Sequence, residues 1–594
     1  MKKYLLMILF ILFFATLIGC TPKDCEIQFL GMNDEILNTQ IVKQGDRITY
    51  PDEPYIEGYE FVGWDKDVFI AEDNEIIRAI FEKLKYTVTF YDNDNNILDE
   101  QIVEHGEAAI APEPPKVEGK IFSKWNKSFD NVTSDLTIKP HYEKEFFTVK
   151  FLDKLGEIIE TQQVRNGEDA VAPNAPEIPF FTFVGWDKEF TNVKKDLTIT
   201  AKYERNGEYE MTDVMYWLQI LSIKYDINKT LLTKEEINEY NQYVISDFSR
   251  TNVVDVTELP KTIAGSYLKE LINSYNIMNK YTVYSHETRT KLSSAQKNII
   301  LENRNLNSIS SNIDVQFGLI TDFAWMKTYP DNAYADSYTR DYFQETTLNV
   351  GEGVAIYHTS KDGNWYFVQA QNYYGWVQKK YIAVCSYDVM KQFLKEDNKL
   401  VVISDYVIIE GAHVRMGQAF PLLEELSDSY KISFPTIQND GSLLLKEVSL
   451  NKTDDYSVGY LEYNYENVFR QAFKLLGIDY SWGDKEKDGR DCASTQCAIY
   501  HCFGFMMPRN TTEQKNIPTY GIEVSGITSN YMKSNYAPGT LIYSSGHVMM
   551  YIGENEEGIS YLFHNTSAGE GKCILQPLDG YGGHKIIGIL KMQK

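Results

Sequence analysis

Cysteine is scarce in this 594-residue chain: there are seven, and the six that follow Cys20 are scattered rather than spaced as a framework. Disulfides are therefore not expected to carry the fold. Metal-ligand spacing is missing as well. No Cys-x-x-Cys, no His pair at helical spacing and no clustered carboxylate set occurs, so no metal is expected and no cofactor is implied. Basic residues are outnumbered, 58 Lys and Arg against 84 Asp and Glu, and the formal charge of −26 argues against nucleic acid or anionic lipid as an electrostatic partner. Long apolar runs are rare. The run from Tyr4 to Ile18 falls short of the ~20 residues of a spanning helix, and no second one follows.

That run has a clear grammar. Lys2-Lys3 precede it and Leu17-Ile18-Gly19-Cys20 end it, which gives the basic, apolar and small-residue zones of a secretory signal over residues 1–20. The ending resembles the lipobox of bacterial lipoproteins, whose Cys becomes the lipidated first residue of the mature chain. The resemblance implies export and attachment to the outer face of the plasma membrane through lipid on Cys20.

Length suggests about four domains, and the 24% charged and 43% hydrophobic content is ordinary for globular ones. Residues 25 to 205 repeat three times with a 61-residue period: Phe29, Phe90 and Phe151 recur, then Gly45, Gly106 and Gly167, Pro51, Pro112 and Pro173, Trp64, Trp125 and Trp186, and Phe81, Tyr142 and Tyr203. Alternating runs such as Tyr86 to Phe90 read as strands. The units (25–84, 86–145, 146–205) resemble the Listeria–Bacteroides surface repeats, which implies small β-rich, β-grasp-like modules. Each Trp is expected in the core of its unit, and the array is expected to act as a spacer.

Residues 208–310 turn helical, with Thr233-Lys234-Glu235-Glu236 as a capping box opening a helix to about Phe248. Two SH3-type barrels are expected at 311–385 and 386–450. Gly353 to His358, Asp362 to Val368 and Tyr374 to Val377 read as the short strands of the first, and Leu400 to Ser449 as the second. Trp376 is expected in a core, whereas Trp365, Tyr373 and Tyr374 are open between core and substrate contact.

The last segment, 451–594, carries the chemistry. Asp491 is a good helix N-cap and Gly504 a good stop, so Cys492 is placed in the first turn of a short buried helix, where unpaired N–H groups favour a thiolate. Cys497 lies about 140° around and 7.5 Å along from Cys492 and is read, with Cys502, as core. His547-Val548-Met549-Met550-Tyr551-Ile552 and Ile559 to His564 read as a hairpin. Pairing Ile552 with Ile559 sets His547 directly opposite His564, a base with an orienting partner.

These residues resemble the NlpC/p60 family of papain-like α+β cysteine peptidases, in its SH3-bearing branch. The resemblance rests on Asn467 to Gly477, Tyr480-Ser481-Trp482-Gly483, Asp491-Cys492, Cys502 to Thr511 and Gly546-His547-Val548. It implies Cys492 as nucleophile, His547 as base and His564 as third polar residue, with Tyr480, Asp491, Asn510 and Thr511 serving the oxyanion and substrate. It also implies a helical stabilising role for 208–310, and cleavage of the γ-D-glutamyl bond to the diamino acid in peptidoglycan stem peptides or muropeptides. Three positions depart from the family pattern: Ala493 replaces a Ser after the nucleophile, Asp484 the second Gly of Trp-Gly-Gly, and Asn510 an Asp that binds a substrate amine in some members. A wall-binding adhesin with weak or no activity, and an amidase acting on another envelope amide, are the alternative readings.

Overall fold

The computed structural model describes residues 22–337, 339–517, 521–522, 535–579 and 588–590. The signal segment and Cys20 lie outside the described residues. The chain forms two compact units, one of residues up to 175 with 186–201 and the other of 176–185 with 202–594.

In the first unit, Cys25, Ile27 and Phe29 alternate with exposed Asp24 and partly or fully exposed neighbours along the strand Asp24–Leu30, so one face is buried. This strand pairs antiparallel with Ile36–Lys43 and parallel with Glu75–Lys83, which pairs in turn with Tyr59–Trp64. A parallel pair at the centre of a four-stranded mixed sheet is the expected β-grasp-like arrangement. Lys85–Tyr91 and Phe146–Leu152 make the same hairpins and the same parallel pairings in the second and third repeats. The centre of each core is a fully buried phenylalanine, Phe29, Phe90 or Phe151. Trp64, Trp125 and Trp186 pack edge-on against it, at 5.0, 5.1 and 5.0 Å between ring centroids, and remain half-buried. The tryptophan expected at the core thus sits at its margin. The strand that ends in this tryptophan carries a register shift, between Phe61 and Gly63 in the first repeat and between Phe122 and Lys124 in the second.

In the second unit the expected helices form. Asp213 caps Val214–Lys224, and Lys234–Ser246 opens on a complete Thr233/Glu236 capping box. Their apolar faces are divided among different cores. Trp217, Leu221 and Tyr240 pack with the C-terminal segment; Leu268 and Ile272 pack with Trp365 and Trp376; Ile300 packs with Tyr329 and Phe343.

The first barrel region is a seven-stranded antiparallel sheet in which Gln316–Ile320 lies between Gly353–Thr359 and Ile382–Cys385. Trp376 is fully buried in it. The second holds a five-stranded sheet and the separate hairpin Tyr406–Ile409 with Ala412–Arg415. One edge of its sheet is Tyr456–Val458, which pairs with Lys399–Val402 although it falls beyond the boundary expected at 450. Three residues are too few to show an alternation in sequence.

The C-terminal segment packs the helices Tyr465–Lys474 and Cys492–His501 against a six-stranded sheet whose inner strands are Gly588–Leu590, Leu541–Ser544, His547–Glu554 and Ser560–Asn565. Gly417, which follows the Tyr406–Arg415 hairpin, meets the Cys492 helix closely. At φ +90°, a Cβ there would lie 2.6 Å from Cβ of His501 and 3.2 Å from the carbonyl oxygen of Ala498. Gly417→Ala should therefore cost about 1–3 kcal/mol by overpacking on top of the backbone strain. Gly363→Ala, at φ +75° with nothing within 4 Å, meets the strain alone. Thermal unfolding of both should give the larger loss in Tm for Gly417→Ala.

Candidate active site

Asp491 caps the helix that begins at Cys492. Its Oδ1 accepts the Ser494 N–H at 2.9 Å, and the Ser494 hydroxyl accepts the Asp491 N–H at 3.0 Å, a reciprocal capping box. Cys492 is buried, as are Cys497 and Cys502. Burial, followed by the charge of Asp491, pushes the Cys492 thiol up to about 12, against the backbone N–H groups of Val548 and Ala493 and the Arg509 guanidinium, which pull it down. The thiolate expected from the helix terminus is therefore not the resting state. Desolvation of a sulfur with little solvent contact outweighs a helix-end effect of roughly 0.3–2 kcal/mol.

The two histidines meet, though not in the expected register. Met550 pairs with Phe563 and Tyr551 with Leu562; a bulge at Ile552 then shifts the ladder so that Gly553 faces Tyr561. Ile552 does not face Ile559. Carried one residue back, the observed pairing sets Met549 against His564 and leaves His547 two residues along on the same face. His547 Nε2 lies 2.7 Å from His564 Nδ1, and His564 Nε2 lies 3.1 Å from Gln576 Oε1. The amide oxygen accepts from His564 Nε2–H, so Nδ1 of a neutral His564 accepts from His547 Nε2–H. This leaves Nδ1 as the basic nitrogen of His547. Burial lowers His564 to about 4, which keeps it neutral.

Gln576 was not a sequence candidate, because it stands on the next strand, Cys573–Pro577, with no local motif around it. Asn565 follows His564 on the same strand. It is fully buried and donates to the Arg490 carbonyl at 2.9 Å, which ties the histidine strand to the segment before Cys492.

A cleft of about 330 Å³ opens at Cys492 and is also lined by Tyr480, Asp491, Asn510 and Thr511, so the structure brings these sequence candidates together. The Tyr480 phenol is raised above its ordinary range by burial and then by Asp491, and it remains a donor. The first barrel region supplies residues that sequence did not single out. Tyr342 stacks on Tyr281 at 4.2 Å and meets Trp482 edge-on at 5.6 Å, forming an aromatic wall. Glu345 accepts from the Tyr373 hydroxyl at 2.5 Å, and burial raises Glu345 to about 7. Tyr373 thus lines the cleft, whereas Trp365 and Trp376 are core.

The neutral histidine has a pH signature. The folded-state pKa of about 4 lies below the ordinary 6.5, so the stability contributed by neutral His564 is full above about pH 6.5 and is lost as pH falls toward 4. Nuclear magnetic resonance titration should find His564 neutral from pH 5.5 to 8. His564→Gln should flatten the fall in Tm between pH 6.5 and 4.5.

Residues 477–572 match the NlpC/P60 family, 330–378 the SH3 domain of SH3b1 type, and 26–73 and 86–142 the Listeria–Bacteroides repeat domain. Among solved structures, an NlpC/P60 endopeptidase from Photobacterium damselae subsp. piscicida is 18% identical, with 59% of this chain and 88% of that one covered at a TM-score of 0.47. An NlpC/P60 family protein from Bacillus cereus ATCC 10987 is 19% identical, with 42% and 83% covered and a TM-score of 0.34. Two proteins of Evansella cellulosilytica named "Putative Gly-rich membrane protein" and "Putative membrane protein" are 29% and 23% identical over 27% and 33% of this chain. The alignments span 22% and 32% of the length of those relatives. No helix among the described residues is long and apolar enough to cross a membrane. The chain therefore carries Listeria–Bacteroides repeats, an SH3 module and a C-terminal NlpC/P60 domain in one polypeptide.

Proposed function

We propose that the protein is an extracellular cysteine endopeptidase of peptidoglycan, cutting stem peptides at the γ-D-glutamyl bond to the diamino acid. The observation that carries this reading is the buried Cys492 thiol at a cleft, beside the strand on which His547 is oriented by His564 and Gln576. In this reading His547 takes the thiol proton as the sulfur attacks the isopeptide carbonyl. The Tyr480 hydroxyl and the Cys492 N–H donate to the oxyanion, and His547 returns the proton to the leaving amine. Water activated by His547 then releases the acyl group.

The cleft favours a substrate with a free amine at one end. Asn510 is neutral and Asp491 is engaged by Arg509 at 2.7 Å, so Glu345 is the carboxylate available for an ammonium. It is charged above about pH 7 and neutral below. Lipid on Cys20, retention at the outer face of the plasma membrane and a spacer role for the repeats belong to the same proposal. So does the absence of nucleic acid among the partners, given the charge of −26.

Mass spectrometry of muropeptides incubated with the full chain should show the γ-D-glutamyl bond cut, and Cys492→Ser should abolish the cut. A thiol alkylator should label Cys492 well before Cys497 or Cys502. Turnover by Cys492→Ser, or stem peptides left whole by the native protein, would overturn the reading. Glu345→Gln should lower kcat/KM about tenfold on muropeptides with a free amino terminus and leave N-acetylated ones unchanged. In the native protein that preference should grow as pH rises through 7.

A further inference from the structure

Six charged side chains lie behind the nucleophile helix, and they balance. Arg415, Arg490 and Arg509 are all nearly buried. Arg415 Nη1 lies 3.3 Å from Asp484 Oδ2, and Arg490 Nη2 lies 3.2 Å from Asp405 Oδ1. Arg509 Nη2 lies 2.7 Å from Asp491 Oδ2 and 3.6 Å from Asp484 Oδ1. Three cations meet three carboxylates, and two of the six, Asp405 and Arg415, come from the second barrel region. Arg415 also donates to the Gly489 carbonyl at 2.7 Å, so that region grips the segment leading to Cys492 at two points.

Asp484 is the shared carboxylate. It is 5% exposed, and its Oδ1 accepts both the Asp491 N–H at 2.9 Å and the Ser494 hydroxyl at 2.5 Å, the two partners of the capping box. Its backbone has φ +55°, beside Gly483 at φ +59°, a region that Gly, Asn and Asp enter more readily than other residues. Although burial opposes it, Arg509 and Arg415 hold the Asp484 carboxyl below the usual range. The family pattern has Gly here. A glycine would satisfy the backbone but leave Arg415 buried without its carboxylate, an arrangement that is strongly unfavourable.

We propose that Asp484 is a positioning residue: its carboxylate joins Arg415 of the second barrel region to the first turn of the Cys492 helix and so fixes the sulfur at the cleft. The proposal rests on the reading of Cys492 as nucleophile. The groups facing that sulfur are Asp491 and Arg509, the phenols of Tyr480 and Tyr543, and the strand that carries His547. Removing the Asp484 charge adds net positive charge to this surrounding, which favours the thiolate.

The test uses the full chain with Asp484→Gly, Asp484→Asn, and Asp484→Gly combined with Arg415→Met. Three quantities are read: kcat and KM on a muropeptide, the pH midpoint of Cys492 alkylation by iodoacetamide, and labelling of Cys497. Asp484→Gly should lower kcat at least tenfold with KM within threefold, and should move the alkylation midpoint down. Asp484→Asn, which keeps one acceptor and tolerates the backbone, should recover part of kcat but keep the lowered midpoint; it also serves where the Gly variant does not fold. Adding Arg415→Met should return the midpoint without restoring kcat. A kcat within twofold of native, an unmoved midpoint, or rapid labelling of Cys497 alongside Cys492 would each overturn the proposal, the last by showing a general loosening. If Cys492→Ser still turned over, the nucleophile reading would fail on that result alone, and the alkylation midpoint would still decide whether Asp484 governs Cys492.

Discussion

Three guanidinium groups lie almost out of water behind one short helix, and the second unit is arranged around answering their charge. A buried cation without a partner is costly, so each needs a carboxylate delivered to it. The carboxylates come from separate stretches: Asp405 beside the barrel hairpin, Asp484 on the Trp482 turn, and Asp491 at the helix cap. No one of these segments neutralises the arginines by itself. The charge requirement therefore brings a barrel, a loop and a helix end to one place, and the position of Cys492 follows from all three.

The chemistry of the site is that of a neutral resting state. The thiol is held protonated by burial, His564 is held uncharged by burial, and Tyr480 keeps its proton. Charge appears there only when a reacting carbonyl draws it, within a region of low dielectric where the fixed donors count most. The guanidinium groups are paired with carboxylates behind the helix, and one of those pairs, Asp491 with Arg509, also reaches the cleft beside Cys492. Glu345 is a further carboxylate on the cleft side, and it belongs to the barrel region rather than to the helix.

How much of this was legible in sequence depends on range. Cys492, its cap Asp491 and the 61-residue period of Phe29, Phe90 and Phe151 are local or periodic signals, and their elements stand where those signals put them. The face shared by His547 and His564 was readable from strand parity, but the pairing was not, because a bulge at Ile552 leaves no trace in composition. Gln576 and Glu345 acquire meaning only from the approach of distant segments. Asp484 looked like a simple departure from Trp-Gly-Gly; its value lies in Arg415, 69 residues earlier. The helices of 208–310 read correctly as helices, yet nothing in their periodicity reveals that their apolar faces serve different cores.

The bulged hairpin has a consequence for how this segment can drift over generations. Because side chains alternate, a shift of two residues between the strands keeps both imidazoles on one side, whereas a shift of one turns His564 away from His547. Loop lengths between Glu554 and Ser560 are thus constrained by parity more than by size. Insertions or deletions of two residues there are compatible with inheritance of the site. Single-residue changes are compatible only where a compensating bulge, like the one at Ile552, arises with them.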